Sequence, residues 1–275
     1  MNFNSVKSKL PLVSIITVTL NSEKYLEDTI KSVINQTYPN IEYIIIDGGS
    51  TDKTIDIIKK HEKYISKWIS EPDEGIYEAM NKGINMCTGE IIGIINSDDW
   101  YEKDTVETIV YQAERNPDYG VFHGNIVLTT IEGELFFCCK ADLREKKIWT
   151  KMTVWHPTCF IRKSIYNEYG LFSVNYKIAG DYEFILRLKT KGIRFLHIDK
   201  VLANMRIGGI SSNEEVGMKE NRDITIKYGY PVIKANFNYL YRLLKYRIRR
   251  SFDILKSNGF FYFKKWLLQW HVKDN

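Results

Sequence analysis

The sequence predicts an α/β fold, a mostly parallel central sheet flanked by helices and followed by a basic helical extension. Three observations lead there. Short, nearly continuous apolar runs alternate with amphipathic stretches between Leu12 and Ile95, polar clusters rich in Asp, Asn and Gly end those runs, and the composition changes after Pro231. The 275 residues are 44% apolar or aromatic, enough for one large core. That balance excludes wholesale disorder, a collagen-like fibre and a disulfide miniprotein.

Leu12 to Leu20 is a β-branched run suited to a strand covered on both faces. Asn21 or Ser22 then opens a helix whose Leu26, Ile30, Val33 and Ile34 form one apolar stripe, and the segment ends before Pro39. Tyr43 to Ile46 is a second buried strand, stopped by Asp47-Gly48-Gly49; Ser50, Thr51 or Asp52 caps a helix through Ile55, Ile58 and His61. After Trp68 a loop, Glu71 to Gly75, leads into a short helix reaching Met86, and Ile91 to Ile95 is the third strand. Short connections of this kind make the sheet parallel, with helices on both faces. Ligands of such sheets bind beyond the carboxyl ends of the strands, where Thr19-Leu20-Asn21, Asp47-Gly48-Gly49-Ser50 and Asn96-Ser97-Asp98-Asp99 converge.

Past Trp100 the sequence predicts a helix from Thr105 to Arg115, then antiparallel or mixed strands around Val121 to Thr130 and Glu134 to Cys139. A helix starts near Asp181 with Phe184, Ile185 and Leu188 inward. Strands follow at Phe195 to Ile198 and Val201 to Met205, then a loop at Gly208 to Ser211, a candidate lid.

The net charge of +5 is unevenly spread. Residues 232–275 hold ten Lys or Arg against two acids, a net of +8, so the remainder is slightly acidic. Residues 1–230 are therefore read as one domain and 231–275 as a basic amphipathic tail. In the tail Phe237, Leu240, Leu244 and Ile248 recur at helical spacing, with Trp266 and Trp270 beyond. This pattern suits a segment lying in a membrane interface; the plainer alternative is a terminal helix packed back on the domain. No run of 18 apolar residues occurs, which places the protein in the cytoplasm, peripheral at the inner face of the cell membrane. Four cysteines without C-x-x-C spacing read as reduced thiols.

The motifs Val13-Ser14-Ile15-Ile16-Thr17-Val18-Thr19-Leu20-Asn21, Asp47-Gly48-Gly49-Ser50-Thr51-Asp52, Asp73-Glu74-Gly75-Ile76-Tyr77-Glu78-Ala79-Met80-Asn81-Lys82-Gly83 and Asn96-Ser97-Asp98-Asp99 together resemble the family 2 glycosyltransferases of GT-A fold, in particular bacterial enzymes of surface-polysaccharide assembly. The match runs over about residues 11–212. The resemblance implies an inverting, metal-dependent transferase using a nucleotide-diphosphate sugar, with Mg²⁺ or Mn²⁺ as cofactor.

Residue by residue, the resemblance implies a metal-binding carboxylate at Asp98, with Asp99 as neighbour; Asn96 stands where the family's first Asp does. A departing diphosphate accumulates negative charge that a hard cation on carboxylate oxygens offsets. Asp47 is carried over as a nucleotide contact, whereas Gly48 replaces the family's base-contacting Asp. Thr19 and Asn21 lie under the nucleotide, with Asn21 alternatively a helix cap. Asp73 meets the base or ribose, Asn81 belongs to the same motif, and Lys82 reaches a phosphate. Ile76, Ala79 and Met80 are core. Asp181 matches the catalytic carboxylate, after Gly180 in place of the usual Glu, and its competing role is a helix cap. His156 binds pyrophosphate or acceptor, or is structural. Trp100 and Trp155 either stack on a sugar or pack in the core.

The expected partners are a nucleotide-diphospho-sugar donor, a glycan or lipid-linked saccharide acceptor, and membrane through the tail, with no nucleic acid. The alternative function is a non-catalytic nucleotide-sugar-binding module, kept open by Gly48, Asn96 and Gly180. The first strand is followed by no G-x-G-x-x-G, against a dinucleotide oxidoreductase.

Overall fold

The structure is a computed structural model describing residues 10–130, 134–141, 145–208 and 214–255. Strand β1 (Val13–Thr19) is buried along its whole length and pairs in parallel with β2 (Ile41–Asp47) on one side and β4 (Ile91–Asn96) on the other. The continuous apolar runs have this cause: both faces are covered, so no position is left for a polar alternation. Helices α1 (Leu26–Ile34), α2 (Thr54–Lys60), α3 (Ile76–Met86) and α4 (Thr105–Arg115) connect these strands to their neighbours. A short edge strand β3 (Lys67–Ser70) pairs with β2, where the sequence suggested only the approach to a loop.

The two-residue period sorts the strand side chains into two cores. Ile16, Val18, Ile44, Ile46, Ile92 and Ile94 point one way, onto α3, α7 (Gly180–Thr190) and α8 (Glu214–Lys227). Val13, Ile15, Tyr43, Ile45, Ile91 and Ile95 point the other way, onto α1, α2 and α4. Each fully buried isoleucine contributes about 1.5–3 kcal/mol relative to exposure.

The second half of the sheet is mixed. Strand β6 (Val121–Thr129) pairs antiparallel with β7 (Leu135–Cys139) and β8 (Phe160–Arg162), and in parallel with β9 (Phe195–Arg206). Strand β8 returns antiparallel to β4, joining the halves, and β5 (Trp100–Tyr101) caps the far edge on β9. The two strands expected at 195–198 and 201–205 are one strand. Its register against β6 slips at Gly124–Ile126, and Asp199 and Lys200 leave the ladder to bond Asn125 and Asp104. Short helices α5 (Glu145–Ile148) and α6 (Lys163–Tyr169) fill the connections.

Helix α1 begins at Leu26, four residues later than expected, because Ser22 to Tyr25 form a turn first. Asp52 does bond the Thr54 N–H at the start of α2. All four cysteines are free. Helix α9 (Val232–Leu255) packs on α8, and among the described residues no helix is long and apolar enough to cross a membrane. The expected lid falls largely on residues 209–213, and the end of the tail on 256–275, both outside the described residues.

Candidate active site

The ends of β1, β2 and β4 meet as the sequence requires. Thr19 stands opposite Asp47 in register, Val18 opposite Asn96, and the Gly48 N–H donates to the Thr19 carbonyl at 2.9 Å. The Thr19 hydroxyl is buried without a partner. Asn21 does not cap a helix. It sits at φ +48°, its N–H donates to the Ser50 hydroxyl, and its side-chain oxygen accepts the Thr51 N–H at 2.9 Å, stapling the first loop to the second.

Asp47 is wholly buried. Its carboxylate accepts the Gly49 and Ser50 N–H groups and the Ser50 and Ser70 hydroxyls. These four bonds tie the carboxylate into the turn that ends β2. Asn81 and Lys82 are likewise committed within the protein. The Asn81 amide both donates to and accepts from the Phe172 backbone, at 2.9 and 3.0 Å. Lys82 pairs with Glu71 and Glu78 and donates to the Pro72 carbonyl, and Glu71 chiefly holds its ammonium above the usual lysine range.

Asp73 lies against Gly48. A Cβ on Gly48 would lie 2.5 Å from an Asp73 carboxylate oxygen, so the acid from the α3 loop covers the place from which a side chain at 48 would reach. The other Asp73 oxygen accepts the Gly75 N–H.

Asp98 and Asp99 end β4 differently from Asp47. Asp99 is buried; one oxygen accepts the Arg206 N–H at 3.2 Å and the other has no partner. Burial pushes its carboxyl well up, Asp98 adds repulsion, and burial raises Asp98 too. The Asn96 side-chain oxygen is likewise buried without a partner. Among the described residues no group of three or more His, Cys, Asp or Glu converges. Two adjacent carboxylates with an orphaned oxygen fit a hard divalent cation that takes its remaining ligands from a diphosphate. Arg206, at the end of β9, holds this turn. Its guanidinium lies over the Tyr25 and Trp100 rings, donates to the Asp98 carbonyl and pairs with Asp28. Trp100 thus packs against Arg206.

Asp181 lies in the first turn of α7. Its carboxylate accepts the Tyr182 N–H at 2.7 Å and approaches the Tyr77 hydroxyl at 3.4 Å, and burial pushes its pKa up to about 6. Gly180 precedes it for a packing reason: a Cβ there would meet the Tyr77 ring at 2.7 Å. Glu220 of α8 accepts the N–H groups of Lys177, Ile178 and Ala179, fixing the backbone that enters α7. His156 opens a short 3₁₀ turn edge-on to Phe172, and burial lowers its pKa to about 4, so at neutral pH it is a neutral hydrogen-bonding group.

One edge of the sheet therefore carries Thr19, Asn21, Asp98 and Asp99, roofed by Asp73, and α3 links that roof to Asp181 through Tyr77. Tyr77, Arg206 and Glu220 are absent from the sequence reading. Tyr77 stands inside a motif that was singled out, beside residues read as core; Arg206 and Glu220 carry no motif, and only long-range folding brings them in.

The model of the family described as glycosyl transferase family 2 matches residues 14–170. A PGL/p-HBAD biosynthesis glycosyltransferase of Mycobacterium tuberculosis is 25% identical over 209 residues, 74% of this chain and 80% of that protein. The structure of Staphylococcus aureus TarS 1–349 in complex with UDP-GlcNAc superposes with a TM-score of 0.62 at 20% identity, covering 90% of this chain and 76% of that one. The chain spans 45% of the longer TarS chain. A mannosyltransferase from Pyrobaculum calidifontis in complex with GDP-Man and Mn²⁺ gives 0.64 at 18% identity, covering 84% and 70%. These structural likenesses are likenesses of fold.

Proposed function

The chain belongs to glycosyl transferase family 2 and has the GT-A fold, and from that premise we propose that it transfers a sugar from a nucleoside-diphosphate donor to an acceptor hydroxyl with inversion at the anomeric carbon. The observation that carries this reading is the contrast between two carboxylate stations: Asp98 and Asp99 at the end of β4 with an orphaned oxygen, and Asp181 in the first turn of α7 with a pKa of about 6.

Asp181 accepts the proton of the acceptor hydroxyl as its oxygen attacks the anomeric carbon. The bond from that carbon to the diphosphate breaks, and its electron pair leaves with the nucleotide. A base with pKa about 6 is ionised at neutral pH yet still takes a proton in the transition state. Tyr77, which donates to the Ile178 carbonyl at 2.5 Å, and Glu220, which accepts the Ile178 and Ala179 N–H groups, fix the backbone that carries it. Asp98 and Asp99 would hold Mg²⁺ or Mn²⁺, which when bound offsets the charge building on the departing diphosphate. Thr19, Asn21 and Asp73 orient the nucleotide, with Asp73 supplying the carboxylate absent at 48. Neutral His156 donates to or accepts from pyrophosphate or acceptor.

The acceptor we assign is a lipid-linked or growing surface glycan. Residues 1–230 act as the catalytic unit and 231–275 as the tail that keeps it peripheral at the inner face of the membrane. A named role in PGL/p-HBAD biosynthesis for the mycobacterial relative and the basic tail support this. The non-catalytic alternative gains little from Gly180, which has a packing cause in the Tyr77 ring.

The test is thermal stabilisation and nucleotide release with a panel of nucleotide sugars, with Mg²⁺, Mn²⁺ or chelator. One donor class should raise the melting temperature in a metal-dependent way and release nucleoside diphosphate. A panel in which no donor stabilises the protein or turns over would overturn the reading.

A further inference from the structure

Helix α9 has two faces with opposite fates. One face is fastened to the body: Ala235 is buried, the Arg222 guanidinium lies over the Tyr239 ring, Arg242 donates to the Thr150 carbonyl and Arg249 pairs with Glu214. The other face carries Ile233, Phe237, Leu240, Tyr241, Leu244 and Ile248, each between 48% and 84% exposed. At helical spacing these six fall within about 100° of the circumference, opposite the fastened residues, and the row is about 22 Å long. A row of large apolar side chains this long marks an interaction surface.

The charges along its borders decide what covers it. Lys234 and Lys245 stand along one border, Arg247 and Arg250 along the other; residues 232–251 contain no acid, and the acid that α8 brings to this border, Glu215, meets Arg247 at 3.5 Å and leaves its side chain 64% exposed. A second copy laid on the stripe in either direction sets bases against bases. Residues 256–275 bring Lys256, Lys264, Lys265 and Lys273 against Asp274 alone, so they offer these borders no complement either. The complement to an apolar row with basic margins is a surface with an apolar interior and anionic headgroups.

We propose that the Ile233–Ile248 stripe is the membrane-binding surface of the chain. It lies in the plane of an anionic bilayer with its flanking bases on lipid phosphates, while the opposite face keeps its grip on α8. The choice that the sequence left open, between a membrane segment and a helix packed on the domain, is answered by both at once, one face each. Because α8 also carries Glu220, which holds the backbone ahead of Asp181, the bilayer and the proposed base sit on either side of one helix. The biological purpose rests on the reading of a membrane-borne acceptor; the binding itself does not.

The experiment is sedimentation of the full chain with vesicles of phosphatidylcholine, with and without phosphatidylglycerol. Binding should require phosphatidylglycerol and weaken with salt. Phe237→Ser combined with Leu244→Ser should lower vesicle affinity at least tenfold, roughly the loss expected for two apolar side chains, and leave the melting temperature and donor turnover unchanged. A fluorophore on Leu240→Cys, in a Cys138→Ser background, should shift to the blue when those vesicles are added. The proposal is overturned if the wild-type chain ignores phosphatidylglycerol, if the double variant binds as well, or if the fluorophore is already blue-shifted without lipid, which would mean that protein covers the stripe. Vesicle binding is read without turnover, so failure here and failure of the transferase reading are separate results.

Discussion

Asp47 and Asp99 close neighbouring parts of one sheet edge, and both are buried carboxylates, yet four donors surround the first while the second keeps an oxygen with no partner at all. The same division runs through the other site candidates. Asn81 and Lys82 are engaged by Phe172 and by Glu71, Glu78 and Pro72, whereas the Thr19 hydroxyl and the Asn96 oxygen are buried and unpaired. Buried polar atoms are nearly always satisfied, and the proposed function assigns those left over at these strand ends to a ligand. On that assignment, satisfied residues of the same chemical type build the loop that presents them. Motif membership alone does not separate the two groups.

The sharpest way to break this division is at Asp181. Asp181→Asn should fold, and it should lower kcat by about 10²–10⁴-fold, the worth of a positioned general base. An Asn variant with wild-type turnover would remove Asp181 from the chemistry. In the wild type kcat/KM should fall about tenfold per pH unit below about 6, as the carboxyl takes up its proton, and level off above. Stability carries the matching sign. Burial raises the folded pKa from 3.8 to about 6, so the folded state loses stability as pH rises through that window. The Asn variant should therefore melt higher than the wild type above about pH 6 and match it below about 4, checked by melting curves across pH.

Next comes the unpaired carboxylate. Asp99→Asn should lower turnover by about 10²–10³-fold, comparable to losing one electrostatic stabiliser of a leaving group, and abolish the metal-dependent part of donor stabilisation. Stability without metal should hold or rise, because the change removes a buried charge repelled by Asp98. A variant that unfolds would place Asp99 with the satisfied group. Asp47→Ala should behave in the opposite way. Four donors lose a buried acceptor, so the fold should lose about 3 kcal/mol in urea unfolding, with activity recovering where the protein remains folded. A fall in kcat at full stability would return Asp47 to the chemistry.

The parallel half of the fold was legible because it is local. The apolar runs at 12–20, 43–46 and 91–95 match β1, β2 and β4 to within two residues at either end, and both cores follow from alternate side chains. The mixed half was harder: β5 and β8 have two and three residues, too few to show a period, and the division seen between 198 and 201 is a slip against β6 rather than a turn. At the site, the residue types announced which positions converge. They did not announce hydrogen-bond saturation, which depends on contacts such as Ser70 with Asp47 or Phe172 with Asn81, across 23 and 91 residues. Nor did Gly180 announce that a tyrosine 103 positions earlier needs its space.

Lys82 supplies the smallest effect and the finest cut. A lysine beside a nucleotide-diphosphate site invites assignment to a phosphate, and its motif favours that. Its ammonium already has Glu71 at 3.0 Å, Glu78 at 3.2 Å and the Pro72 carbonyl at 3.2 Å. Reaching a phosphate would mean leaving two carboxylates, and the α3 loop that carries Asp73 would lose its tie. If Lys82 only ties the loop, Lys82→Met should change donor KM less than about threefold, as expected for an exposed ion pair, and any change should be reproduced by Glu71→Gln. If Lys82 holds a phosphate, Met should raise donor KM tenfold or more while Glu71→Gln lowers it by freeing the ammonium. Steady-state kinetics of the two variants on one donor separate the cases, because the loop role moves both in the same direction and the phosphate role moves them apart.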